Sequence, residues 1–471
     1  MTGIFVVGYS PVPAAAEADG SIPIPVEDVW PMSQNERDAF LRRMAADDCR
    51  PVAQAMFAFY FEKFRSGETG EIPEEEITPP TMGHLLHHDQ LPNAAQSPAG
   101  RVAMIKLNGG LGTSMGLTKA KSLLEVKPDL TFLDVIACQA LQVGMPLVLM
   151  NSFSTHEDTM AALAARHPEL EARGLLRAFV QNRFPRIEVT PGGCQPLSLP
   201  DPDDNWNPPG HGDLYPSILV SGILDDLLDQ GIEVAFVSNS DNLGAVMDPR
   251  VAAHMLERGE DLPFLMEVRK RGKMDRKGGH LAVRVADDQL VLREIAQCPG
   301  HQVDAFQDIR RYGYFNTNNL WVNLRALKRA LEEAGGGFLP LPMICNGKDV
   351  QGHDVVQLET AMGAAVEMFP GAAALVVPRS RYAPVKTTDH LLVVRSDAYE
   401  LDRGSYQLVL TGGRAEPPVV TLNPKLYKTV AQLERAFPEG IPSLRECTSL
   451  TIESEAVFPA ATRFAGDVVI R

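Results

Sequence analysis

A predominantly apolar run at 102–107 is followed at once by Asn108-Gly109-Gly110-Leu111-Gly112-Thr113-Ser114-Met115-Gly116, with four glycines in eight positions from Gly109. Glycine lets a backbone adopt positive φ and bring its N–H groups against a phosphate or a flat base with no Cβ in the way. The competing reading is a mobile glycine-rich turn. Two familiar phosphate loops do not fit. A P-loop needs Gly-Lys-Ser/Thr, whereas Lys121-Ser122 is preceded by Ala120. The spacing of Gly110, Gly112 and Gly116 also misses Gly-x-Gly-x-x-Gly. Neither an ATPase nor a dehydrogenase is favoured.

Other residues with chemical potential stand near the ends of apolar runs. Asp241 lies between Asn239 and Asn242 just after the run 232–238, where an Asx-turn or helix cap competes with a ligand role. Gln181 closes the run 176–181 and could satisfy a neighbouring backbone group. His211 sits between Gly210 and Gly212, flanks that advertise an exposed loop. Asn318 and Asn319 read equally as turn residues, and Lys386 as a solvated lysine.

The elements that must position these residues follow from periodicity. Runs at 102–107, 146–150, 176–181 and 232–238 read as strands buried on both faces, alternating with helical patterns. That alternation implies right-handed crossovers and an α/β fold with a doubly wound, mostly parallel sheet. Ligands in such sheets bind beyond the carboxyl ends of the strands, where the glycine loop, Gln181 and Asp241 all fall. Ser33-Gln34-Asn35-Glu36 has the form of a capping box, Pro51 interrupts the helix it opens, and a second helical run spans 52–64. These helices are expected to pack over the main domain, with 67–80 a surface loop. Short β-prone runs after 422 resemble the rungs of a parallel β-helix. The expected division is a flexible leader at 1–30, a helical segment at 31–100, a catalytic α/β domain at 101–400 and a small β-helix domain at 401–471.

At 471 residues the chain exceeds what one hydrophobic core organises. Its apolar fraction of 45% and charged fraction of 22% are those of a soluble globular protein. No apolar run approaches the ~18 residues of a membrane span, and no secretory signal pattern opens the chain. The net charge of −16 argues against nucleic acid, whose binders need a basic footprint. A small anion remains compatible, since exposed charges beyond about 8 Å are screened. Six dispersed cysteines without a Cys-x-x-Cys pair point to a reducing cytoplasm.

Six segments in order resemble the eukaryotic-type UTP–glucose-1-phosphate uridylyltransferases: 106–127 (KLNGGLGTSMGLTKAKSLLEVK), 181–187 (QNRFPRI), 208–215 (PPGHGDLY), 238–244 (SNSDNLG), 315–324 (FNTNNLWVNL) and 384–388 (PVKTT). The likeness runs from about residue 30 to the end. It implies a nucleotidyltransferase of glycosyltransferase A-like fold, a left-handed hand for the C-terminal β-helix, and UTP and glucose 1-phosphate as substrates. By the same resemblance Leu107, Asn108, Gly109 and Gly110 line the nucleotide, Gln181 and the backbone of Gly210 read the uracil edge, and Gly112, Lys121 and Lys386 form the catalytic set around the phosphates. His211, Asn239, Asn318 and, less centrally, Glu294 face the glucosyl phosphate or sugar, and Asp241 holds Mg²⁺. A phosphate oxygen attacking the α-phosphorus needs positioning and charge neutralisation, not a protein nucleophile. Mg²⁺ takes only one or two protein carboxylates, which suits a single Asp241. Lys119-Ala120 stands where relatives commonly have Gly-Pro, which alters the turn before Lys121. The stop at Arg471, shortly after Gly466, leads to the expectation of a monomer or small homo-oligomer rather than an octamer. Alternatives within the superfamily are a UDP-sugar or UDP-N-acetylhexosamine pyrophosphorylase; outside it, a catalytically silent nucleotide-sugar binding protein.

Overall fold

A computed structural model describes residues 34–272, 275–459 and 461–471. The leader at 1–30 and Ser33 of the expected capping box lie outside the described residues. Among the described residues the framework is one sheet of eleven strands. Eight of them form its continuous path: β1 (Leu85–His87), β2 (Val102–Asn108), β3 (Leu147–Asn151), β4 (Leu176–Val180), β5 (Val234–Asn239), β6 (Phe264–Lys270), β7 (Tyr314–Asn323) and β8 (Ala373–Val376). Across the sheet they run β1-β8-β6-β7-β5-β2-β3-β4. Only β7 opposes its neighbours β5 and β6; every other adjacent pair on this path is parallel.

The four strands expected from apolar runs are β2 to β5, each within one or two residues. The alternation of a pleated strand sends Val102 and Met104 of β2 into one hydrophobic cluster and Ala103 and Ile105 into the other. Both faces are therefore covered, as a parallel sheet requires. At the edge, β4 departs from the expectation: only Phe179 is buried among its five residues, because it has a partner strand on one side alone.

Helix α3 (Phe132–Val143) shows how crossovers are fixed locally. The Thr131 hydroxyl accepts from the Asp134 N–H (3.1 Å), the Asp134 carboxylate accepts from the Thr131 N–H (2.8 Å), and Gly144 ends the helix at φ +68°. Its Phe132, Val135, Ile136 and Ala140 then face β2 and β3 in a shared cluster.

Helices α1 (Gln34–Ala46) and α2 (Pro51–Arg65) form as read, with Pro51 opening the second. They do not lie over the main sheet. Phe40, Phe57 and Phe61 pack instead with Phe184, Val356 and Leu358 against a separate antiparallel sheet built from Ile187–Thr190, Gly193–Pro196, Met343–Val350 and His353–Thr360. Its pairing joins segments more than 150 residues apart, a long-range match that apolar periodicity does not reveal.

The C-terminal strands β9 (Val419–Leu422), β10 (Ser443–Ile452) and β11 (Arg463–Ile470) stack in parallel. Leu444, Cys447, Leu450, Ile452 and Phe464 belong to the same hydrophobic cluster as Val102. Helix α4 (Thr388–Arg395) joins the two regions: Asp389 accepts from the Leu422 N–H (2.7 Å), and the Thr388 hydroxyl donates to the Tyr427 carbonyl. Among the described residues, no helix is long and apolar enough to cross a membrane.

Candidate active site

The ends of β2, β3 and β5 open onto a cleft of about 360 Å³. Leu107, Gly109, Gly110 and Gly112 form one side of its lining. An added Cβ on Gly109 would stand 2.8 Å from Gln181 Nε2, so the glycine lets the loop close on that amide. Gly112 holds φ +73°, and the Gly110 carbonyl accepts from the Lys121 N–H (3.0 Å), folding the loop back over its own lysine. Gln181 also lines the cleft; its N–H donates to the Asn151 carbonyl (2.8 Å), fixing it just beyond β4.

Asn239, Ser240 and Asp241 line the facing side. The Ser240 N–H donates to the Leu107 carbonyl (3.1 Å), which ties the aspartate loop to β2. Lys121 Nζ donates to Asp241 Oδ2 (2.7 Å), with the two side chains only 15% and 16% exposed. The other carboxylate oxygen, Oδ1, is buried with no hydrogen-bond partner among the described residues. A half-used buried carboxylate of this kind is costly unless something completes it.

Gly210 and His211 supply the third side. Gly210 holds φ +78°, and a Cβ there would stand 2.4 Å from the Thr360 carbonyl oxygen. The Met362 N–H donates to His211 Nδ1 (2.8 Å), so the neutral ring carries its proton on Nε2. Burial, aided by repulsion from Lys386, pushes the imidazole down to about 4. His211 is thus a neutral donor at pH 7, with part of its ring edge open to the cleft.

Four of the expected site residues lie outside this lining. The Asn108 side chain is buried behind the loop, donating to Asn151 Oδ1 (2.8 Å) and Thr159 Oγ1 (2.9 Å), so it braces the loop and leaves only its backbone to face the expected nucleotide. Glu294 caps the turn Ile295–Gln297; burial raises its carboxyl, with Lys386 opposing. Asn318 sits in β7 at φ +58°, where Thr317 and Asn318 are looped out between the pairs Val268–Asn316 and Glu267–Asn319. Its N–H donates to Asn316 Oδ1 (2.9 Å) and its own Oδ1 accepts from Asn316 Nδ2 (2.8 Å). Lys386 is exposed, yet its segment is fastened to the cleft: the Val385 N–H donates to the Asp241 carbonyl (3.1 Å) and Pro384 bridges Asn242. Lys119, flagged for its departure, points outward, 3.9 Å from Asp158.

Sequence reading missed the residues beneath. Glu267, 0% exposed, accepts from Arg381 through two bonds (2.5 and 2.8 Å), from Trp321 Nε1 (2.8 Å) and from Asn319 Nδ2 (2.9 Å). Lys106, also 0% exposed, donates to Ser238 Oγ (2.8 Å) and the Ala245 carbonyl (2.9 Å). The available signal was a charge inside an apolar strand run, FLMEVRK and VAMIKLN, since a buried charge demands partners.

The family model of UTP–glucose-1-phosphate uridylyltransferase matches residues 54–464. A UTP–glucose-1-phosphate uridylyltransferase of Pyrus pyrifolia is 37% identical over 97% of this chain and 94% of its own length. That of Saccharomyces cerevisiae is 42% identical over 79% of this chain and 74% of its own. Among solved structures, a single-residue variant of the Leishmania major UDP-glucose pyrophosphorylase in complex with UDP-glucose superposes with a TM-score of 0.87 at 40% identity, covering 94% of this chain and 95% of that one.

Proposed function

The chain belongs to the UTP–glucose-1-phosphate uridylyltransferase family, and from that premise we infer that its cleft joins UTP to glucose 1-phosphate, releasing pyrophosphate. It is a nucleotidyltransferase, and UDP-glucose is its product. The observation that carries the reading at this site is the Lys121–Asp241 pair beside a glycine floor, with the Lys386 segment fastened to the aspartate loop. A glycine loop, a carboxylate and two lysines around one cleft are what a triphosphate and a sugar phosphate require together.

In the proposed mechanism Gly109 and Gly110 admit the nucleotide and Gln181 with Gly210 borders its base. Arriving phosphates compete for Lys121, whose ammonium then neutralises them in place of Asp241. Lys386 supplies a second positive charge between the two substrates. The glucose 1-phosphate oxygen forms a bond to the α-phosphorus while the bond to the β-phosphate breaks, and pyrophosphate leaves with the electron pair. No protein nucleophile is consumed, so rate comes from alignment and charge stabilisation. Neutral His211 offers its Nε2 proton as a fixed donor to the glucosyl phosphate or sugar, with Asn239, Asn318 and Glu294 toward the sugar side.

Asp241 fits Mg²⁺. Its Oδ1 lacks a partner, and no cluster of three or more acidic, His or Cys residues competes as a metal site among the described residues. One carboxylate plus phosphate and water oxygens is the donor set this cation prefers. When bound, it would add charge neutralisation at the phosphates.

We further propose that β9, β10 and β11 are rungs of a left-handed parallel β-helix within 401–471, with the catalytic domain, of glycosyltransferase A-like type, at 101–400. Aligned positions Val420, Leu450 and Val468 support the stacking. A reducing, cytoplasmic setting is supported by six free cysteines. The test of function is pyrophosphate release with UTP and a panel of sugar 1-phosphates. Glucose 1-phosphate is expected to be turned over fastest; faster turnover of N-acetylglucosamine 1-phosphate, or no release with any sugar, overturns the reading.

A further inference from the structure

Asp241 and Lys386 come from distant parts of the chain, and both lie in loops rather than regular elements. Something must set their separation. Asn242, 2% exposed, is placed to do so. Its Oδ1 accepts from the Ala383 N–H (2.8 Å) and the Gly244 N–H (3.2 Å), while its Nδ2 donates to the Arg381 carbonyl (3.2 Å) and to Asn319 Oδ1 (3.2 Å). An Asn side chain has two N–H donors and two oxygen lone pairs, and here all four are used. Three of the four bonds reach backbone groups of the two loops that carry Asp241 and Lys386. The fourth reaches Asn319, next to Asn318 on the sugar side.

The far end of this connection is rigid. Arg381 is 3% exposed and locked by the two bonds to Glu267, and its carbonyl also accepts from Asn319 Nδ2 (3.1 Å). The Lys386 segment is thus anchored to β6 and β7 and cannot drift from the sheet. Asn242 transmits that anchoring to the aspartate loop.

We propose that Asn242 is a positioning residue for uridylyl transfer, setting the distance between Asp241 and Lys386 without touching either substrate. This rests on the roles given above to those two residues. An ordinary satisfied core asparagine would affect stability alone, whereas a clamp acts through Lys386. A double-mutant cycle separates them. Asn242→Ala should lower kcat by about 30- to 100-fold, the cost of a displacement near 1 Å, with the KM for UTP within about 2-fold because Gln181 and Gly210 hang on other elements. In the Lys386→Ala background the same change should lower kcat by less than about 3-fold, since the group it positions is gone.

Equal losses in both backgrounds, or a loss confined to thermal stability, would overturn the clamp. If Lys386→Ala alone leaves turnover unchanged, the site reading fails instead, so the two failures are distinct. Should Asn242→Ala not fold, Asn242→Ser, which keeps a donor and an acceptor on a shorter arm, replaces it in the cycle. Failure of both to fold would assign Asn242 to folding and reject the proposal.

Discussion

At the scale of single residues, partners decide roles that residue type leaves open. By residue type His211 reads as a loop histidine, and by resemblance as a contact to the glucosyl phosphate or sugar; its Nδ1 bond from Met362 sets the tautomer, and burial, aided by the nearby Lys386 charge, keeps it a neutral donor. That has a pH consequence with a definite sign. The folded imidazole titrates near 4 and the unfolded one near 6.5, so above 6.5 both states are neutral and stability does not depend on this group. As pH falls from 6.5 toward 4 the unfolded chain binds the proton first, and stability is lost through that window. The loss should be on the order of 2 to 3 kcal/mol by pH 4. Urea midpoints measured across this range should fall more steeply for wild type than for His211→Asn; parallel curves would show that the ring is not held neutral. Asp241 was legible from its place after a strand, but its pairing with Lys121 was not, because a hydrogen bond between residues 120 apart leaves no local trace.

At the scale of elements, the glycines differ in what their missing Cβ is for. Gly210 combines φ +78° with a Thr360 backbone oxygen 2.4 Å from where a Cβ would stand, a neighbour that cannot rotate away. A Cβ on Gly110 meets nothing within 4 Å among the described residues, although the glycine lines the cleft. Gly210→Ala should therefore destabilise the protein by about 1 to 3 kcal/mol and displace the loop. Gly110→Ala should leave the melting temperature unchanged but raise the KM for UTP, because the methyl enters the space proposed for the nucleotide. Thermal unfolding together with UTP titration checks both, and a destabilised Gly110→Ala would reverse the assignment. Central strands β2, β3 and β5 were readable because burial on both faces leaves a predominantly apolar run, even with Lys106 inside β2. Edge strand β4 was overread for the same reason, and the looped-out Asn318 in β7 was invisible, since an αL residue inside a strand is dictated by the mismatch with β6.

At the scale of the whole molecule, the site exists because distant segments are fastened at one rim of the sheet. The glycine loop leaves β2, the aspartate loop leaves β5, and the Lys386 segment is tied between Asp241 and helix α4, against which the C-terminal strands dock. Family motifs in order made the residues of the site legible. What the sequence could not show was the long-range geometry: the second antiparallel sheet beneath α1 and α2, the Glu267–Arg381 anchor, and the place of Asn108 behind the loop rather than on it. Lys386, exposed and outside the lining, is proposed to act on the substrates held by Gly110, Lys121 and Asp241. The direct measurement is pyrophosphate release from UTP and saturating glucose 1-phosphate by wild type and by Lys386→Ala of equal thermal stability. Loss of the lysine should cut turnover by about 100-fold or more. Turnover equal to wild type would contradict the account.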